Sequence, residues 1–282
     1  MSATYARPTV ILIHGMWMTP RSWDAWVDHY SDRGYRAIAP GWPGVKDPEE
    51  TRRDPSALKG LGVNAIVDHY DVIIRQLDRP PIIIGHSFGG LTTQLLLSRG
   101  LGAAGVIIGT GPPNGVFLLP ASTLRSSLPA LKNPFNRSGL APLSPEQFHY
   151  RFTNTVGREE SDRIYREHYI PGTNQAFFDV LFSKSAAGVD WANPKRPPLL
   201  LIAGGVDHIS PISLNRGLLK RYRQAPTATE LKEYPGRPHF MAGLDGWEEI
   251  ADVALNWALE HSGASQQVGE GVPERPATSP TT

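Results

Sequence analysis

The stretch PPIIIGHSFGG, residues 80–90, runs three isoleucines into a Gly-His-Ser turn, with Gly85 and Gly89 two places on either side of Ser87. A continuous run of branched apolar residues suits a strand buried on both faces, the pattern of a parallel sheet. The next segment, FGGLTTQLLLSRG (88–100), reads as a helix that ends at Gly100. Ser87 therefore stands at a strand-to-helix turn. An elbow of this kind holds its serine at strained dihedrals with Oγ projecting from the end of the sheet. Gly85 and Gly89 fit it because a side chain at either place would collide as strand and helix close on each other. The helix start adds a positive dipole end beside the hydroxyl. A serine after a buried strand can also be simple turn punctuation, and the rest of the chain must decide between the two.

Similar apolar runs recur at PTVILIHG (8–15), YRAIAPG (35–41), AAGVIIGTG (103–111) and PPLLLIAGG (197–205), with a polar-edged TELKEYPG at 229–236. Amphipathic segments separate them. Thr19 and Pro20 read as N-cap and first helical residue, and Trp23, Trp26, Val27 and Tyr30 come after them at helical spacing. Residues 64–78 carry the stripe Ile66, Val67, Tyr70, Ile73, Ile74 and Leu77. Another helix opens at Ser210 and Pro211, and a last one runs from Asp245, whose spacing to Glu248 resembles a capping box. The expected fold class is α/β, a mostly parallel central sheet with helices on both faces.

Residues 114–194 break the alternation. They hold no strand-like run, and helical patterns such as SPEQFHYRFTNT and SDRIYREHYI fill the middle. Seven of the nine phenylalanines lie there: Phe117, Phe135, Phe148, Phe152, Phe177, Phe178 and Phe182. The expectation is a core of residues 1–113 and 195–262, a helical cap inserted at 114–194, and a disordered tail at 263–282 that is rich in Gly, Pro, Ser, Thr and Glu. The aromatic cap residues serve a small core of their own, a substrate pocket, or both.

Composition narrows the partners. The chain has 282 residues, 40% apolar and 20% charged, with 28 basic against 27 acidic residues and a formal charge of +1. This balance offers no electrostatic footprint for nucleic acid. Cysteine is absent, which removes disulfides, thiolate metal sites and a cysteine nucleophile together. No apolar run approaches the ~20 residues that span a bilayer, and an apparent core strand begins by Thr9, so the expectation is a cytoplasmic protein without membrane insertion. No metal and no cofactor are expected. The partner is a small-molecule substrate, and a homo-oligomer stays open.

With these residues in place, the sequence resembles α/β-hydrolase-fold enzymes of the esterase and lipase branch, with an inserted helical cap, over nearly all of its folded length. The resemblance implies that Ser87 is the nucleophile, and that an acid and then a histidine come after two later strands. LLLIAGGVD places Asp207 after one, and EYPGRPHF places His239 after the next. The loop after the strand that succeeds the elbow helix, an alternative acid position, reads GTGPP and has no carboxylate; Asp190 is a distant rival. Likeness to the family's His-Gly turn makes the backbone N–H groups of Met16, in HGMW, and of Phe88 the expected oxyanion hole.

His14 and His86 read as structural, and His208 as a solvent-facing loop residue. The pocket candidates are Trp17, Phe148, Phe152, Phe178 and Phe182. The implied activity is cleavage of a carboxylic ester of a small to medium apolar or aromatic substrate through an acyl-enzyme. Other chemistry at the same serine stays open (lactone, thioester or C–C hydrolysis, hydroxynitrile lyase, perhydrolase), as does a ligand-binding protein on the same scaffold.

Overall fold

A computed structural model describes residues 7–45, 47–116 and 136–263. Phe117, Phe135 and the tail residues from 264 onward lie outside the described residues. Eight strands are described: β1 (Val10–Ile13), β2 (Ala37–Ile38), β3 (Ile82–His86), β4 (Ala104–Ile108), β5 (Leu140–Ala141), β6 (Gly172–Thr173), β7 (Leu199–Gly204) and β8 (Thr229–Tyr234). Six of them form one sheet in the order β2-β1-β3-β4-β7-β8, every pair parallel. The four central strands are buried along their whole length, which is why they read as unbroken Val/Ile/Leu runs.

Alternate residues of each strand feed opposite faces. On one face Ile11, Ile13 and Ile83 pack with Val63, Ile66, Val67 and Tyr70 of α3 (Val63–Arg75) and with Leu91, Leu95 and Leu96 of α4 (Phe88–Ser98). On the other, Val10, Leu12, Ile82 and Ile84 meet Trp23, just before α1 (Asp24–Asp32), Trp26 and Tyr30 within it, and Ile250, Ala251, Ala254 and Leu255 of α10 (Trp247–His261). Between these elements lie α2 (Pro48–Arg53) and α9 (Ile212–Tyr222), the latter covering Ile107, Leu199 and Leu201. No described helix is long and apolar enough to cross a membrane.

Residues 136–194 carry α5 (Pro145–Phe152), α6 (Arg158–His168), α7 (Asn174–Phe182) and α8 (Lys184–Ala187). Contrary to the strand-free expectation, β5 and β6 pair antiparallel here, Leu140 with Thr173 and Ala141 with Gly172. Strands of two residues are too short to leave any alternation in the sequence. Nor do these helices keep a core of their own. Phe148, Phe152, Ile164, Tyr169 and Ala176 join the cluster that contains Ile11 and Ile83.

The expected capping box at Asp245 does not form. Gly246 is the N-cap of α10 at φ 78°, and the guanidinium of Arg237 donates to the carbonyls of Asp245 and Gly246. A capping box is present instead at the start of α5, where Ser144 and Gln147 bond each other's backbone N–H groups.

Candidate active site

The turn between β3 and α4 is as tight as its glycines imply. Ser87 sits at φ 56° and ψ −118°, a conformation that costs a non-glycine residue roughly 1–3 kcal/mol. Backbone bonds hold it there. Ser87 N–H donates to Ile108 O at 2.9 Å, and Ser87 O accepts from Gly90, Leu91 and Gly111. A Cβ on Gly85 would lie 2.1 Å from Gly89 O, and one on Gly89 would lie 2.0 Å from Ile13 O. The nearest neighbours at Gly89 are all backbone, and at Gly85 the Thr93 hydroxyl joins the Gly89 backbone.

His239, fully buried after β8, reaches Ser87. Its Nε2 lies 2.8 Å from Ser87 Oγ, and its Nδ1 lies 2.8 Å from Asp207 Oδ2. A carboxylate can only accept, so Nδ1 carries the proton and Nε2 faces the serine hydroxyl as an acceptor. The other oxygen of Asp207 accepts the N–H groups of Ile209 and Ser210, both at 2.7 Å. Both oxygens of this buried acid are therefore held in place. The rival Asp190 is exposed and accepts from its neighbour Ala192 N–H.

Two further histidines surround this chain of bonds without joining it. His86 Nε2 donates to His239 O at 2.9 Å. Burial first, then the nearby His239, lowers its pKa to about 3. His14, also fully buried, accepts the Trp42 N–H on Nε2 and donates from Nδ1 to Gly15 O, and burial lowers its pKa to about 4. Both are neutral at pH 7. His208 departs from its expected solvent-facing place: it is half-buried, and its Nδ1 donates to Tyr150 O at 2.7 Å.

The His-Gly turn after β1 abuts the elbow, since a Cβ on Gly15 would lie 2.8 Å from Ser87 Cβ. Met16 and Trp17 come next, Trp17 at φ 67°. The small sheet grips this turn from outside. Trp17 Nε1 donates to Ala141 O in β5, Ile170 N–H to Trp17 O, and Thr173 N–H in β6 to Met16 Sδ. Among the described residues neither the Met16 nor the Phe88 backbone N–H has an acceptor; Phe88 opens a helix, where such donors have no partner within the helix.

The pocket candidates divide. Phe152 sets its ring edge-on to His239 with centroids 5.0 Å apart, and it also meets Trp17. Phe148 stacks flat on Phe152 at 4.7 Å, one layer further back. Phe178 is half-buried, with its ring beside Phe182. Phe182 itself is 73% exposed. Helical spacing in NQAFFDVLF does not say which phenylalanine faces inward, and it is Phe177, not among the candidates, that packs on Trp17 at 5.4 Å.

The candidates also omit Arg151, whose guanidinium lies 5.7 Å from the Trp17 ring centre. Its signal was present, because Arg151 shares the i, i+3, i+4 face of Phe148 and Phe152. Helix α5 is tied to both loops that carry the buried pair: His208 donates to Tyr150 O, and Phe240 N–H donates to Phe152 O.

Searched by sequence, no curated protein matches this chain. Solved structures match its fold. A methylesterase from Arabidopsis superposes with TM-score 0.66 at 13% identity, over 89% of this chain and 98% of that one. A pyrethroid hydrolase from Sphingobium faniae gives 0.62 at 21% identity, over 89% and 97%. A monoacylglycerol lipase from Paleococcus ferrophilus gives 0.64 at 19% identity, over 89% and 94%. The model of the alpha/beta hydrolase family matches residues 10–253, from the first residue of β1 into α10. A parallel sheet in this order, a strained serine between β3 and α4, and a family match that spans all the described strands lead to one conclusion: the chain belongs to the alpha/beta hydrolase family.

Proposed function

We propose that Ser87, His239 and Asp207 form the catalytic triad of a serine hydrolase that cleaves a carboxylic ester. The observation that carries this reading is the pair of 2.8 Å bonds linking Ser87 Oγ through His239 to Asp207 at a strained strand-to-helix turn. The structural likeness to proteins named as a methylesterase, a pyrethroid hydrolase and a monoacylglycerol lipase favours an ester over other acyl compounds.

In the reaction Ser87 Oγ attacks the ester carbonyl carbon as its proton passes to His239 Nε2, and the C=O electron pair moves onto oxygen. The N–H groups of Met16 and Phe88, without acceptors among the described residues, receive that oxyanion. The intermediate collapses, the bond to the alcohol oxygen breaks, and Nε2 returns the proton to the departing alkoxide. A water then gives its proton to Nε2 and attacks the acyl carbon. The acid leaves as Ser87 recovers its proton. Asp207 holds the imidazole tautomer and stabilises the transient imidazolium without taking the proton itself. Residues 114–194 act as the cap, with Trp17 and Phe152 as aromatic walls for a small to medium substrate.

Mass spectrometry of the intact protein after exposure to a fluorophosphonate, alongside nitrophenol release from p-nitrophenyl butyrate, tests this reading. One adduct on wild type, none on Ser87→Ala, and loss of hydrolysis in a folded variant are expected. An unlabelled Ser87 in wild type overturns it and moves a ligand-binding protein on the same scaffold to the front.

A further inference from the structure

Buried charge without a partner is costly enough that a folded protein rarely keeps it without a use. Arg196 illustrates the ordinary solution. It is buried, donates to Pro197 O and Thr229 Oγ1, and stacks on Tyr222. Arg151 has no such set of partners. It is 3% exposed, and among the described residues no carboxylate lies within ion-pair distance and no acceptor takes any of its side-chain N–H donors; its guanidinium meets the face of Trp17 instead. A ring face satisfies the flat side of a guanidinium and leaves its edge, where the five donors lie, unused. Burial lowers its pKa to about 10, so it remains a cation at neutral pH.

Its place in the fold says where that edge can be used. Arg151 stands between Tyr150 and Phe152, whose carbonyls are clamped by the loops of Asp207 and His239. It emerges on the same helix face as Phe152, which touches the His239 ring, and it covers Trp17, the residue after the proposed oxyanion donor Met16.

We propose that Arg151 receives a free carboxylate carried by the ester substrate, at a distance from the scissile bond, so that this enzyme prefers half-esters or acylated hydroxy acids over neutral esters. The planar fork of a guanidinium matches a carboxylate in two parallel bonds, and the aromatic walls bind the carbon chain between the two ends. The inference rests on the esterase reading above.

The test compares kcat/KM for the monomethyl esters of succinate, glutarate and adipate, and for acetylated hydroxy acids of similar length, with neutral methyl esters and alkyl acetates of matching size. The first series places the carboxylate on the acyl side and the second on the alcohol side. Wild type is expected to favour the best anionic ester at least tenfold. In Arg151→Met that preference is expected to vanish, mainly through KM, and Arg151→Lys is expected to recover part of it. Equal rates for charged and neutral esters in wild type, or a preference untouched by Arg151→Met, overturn the proposal.

Calorimetry keeps it independent of turnover and of the folding of that variant. Ser87→Ala should bind the preferred anionic ester at least tenfold more tightly than its neutral counterpart, and failure to do so overturns the proposal. A wild type whose Ser87 takes no fluorophosphonate while Ser87→Ala still shows the anion preference would defeat the esterase reading and leave the carboxylate site standing.

Discussion

Ser87, His239 and Asp207, the proposed triad, are each held by bonds other than those that link the three. Backbone groups of Ile108, Gly90, Leu91 and Gly111 fix the serine, His86 fixes the carbonyl of His239, and the N–H groups of Ile209 and Ser210 fix the acid. Such preorganisation is what lets geometry lower a barrier. Asp207→Asn tests the weakest link. An asparagine can turn its amide N–H toward Nδ1, which leaves Nδ1 unprotonated and puts the proton on Nε2, facing Ser87. The expected loss in kcat is about 10⁴ with little change in stability. Steady-state kinetics beside a urea melt would reveal it, and near-normal turnover would remove Asp207 from the proposed triad.

At the scale of elements, three short pieces of chain converge on this point. The β3–α4 elbow presents the serine, the β5–β6 pair grips the turn of Met16 and Trp17, and α5 is clamped to the acid and histidine loops. Helix α4 is buried almost throughout, so it can neither tilt nor slide to relieve a clash. Gly89→Ala places a methyl 2.0 Å from Ile13 O and 2.8 Å from His14 O, both backbone atoms. The expected cost is at least about 3 kcal/mol, at the upper end for overpacking. Denaturant unfolding of the purified variant measures it; an unfolding free energy within about 1 kcal/mol of wild type, the low end for overpacking, would mean that the elbow is looser than these distances say.

For the whole molecule, His14 and His86 link the fold to pH. Burial holds their folded pKa values at about 4 and about 3, below the ~6.5 of an exposed histidine. Below pH ~6.5 the unfolded chain therefore takes up protons that the folded chain refuses. Stability is full above that point and falls as pH drops toward 4, by about 1.4 kcal/mol per unit for each histidine. Urea unfolding at pH 7, 6 and 5 should show of order 4 kcal/mol lost between the extremes. His14→Asn, which cannot titrate, should show a flatter dependence whatever its stability at pH 7. An unchanged slope would mean that His14 is protonated in the fold.

The sequence by itself determined the sheet and the order of the catalytic candidates. Strands buried on both faces must be continuous apolar runs, an elbow between backbone and backbone must have glycine at 85 and 89, and Asp207 and His239 come just after strands whose ends the parallel sheet brings together. Local chemistry dictates the strands and the glycines, so they can be read locally; Asp207 and His239 are the residues that the resemblance to the family singles out after those strands. Only the tertiary structure decided what lies across from what. It turned Phe177 to Trp17 and left Phe182 in solvent, paired two strands too short to show a period, gave Gly246 rather than Asp245 the helix start because Arg237 holds the carbonyls there, and laid Arg151 on Trp17 without a carboxylate beside it among the described residues. Periodicity states that a side chain is inward. Which neighbour it meets depends on segments far apart in the chain, whose packing no local pattern records.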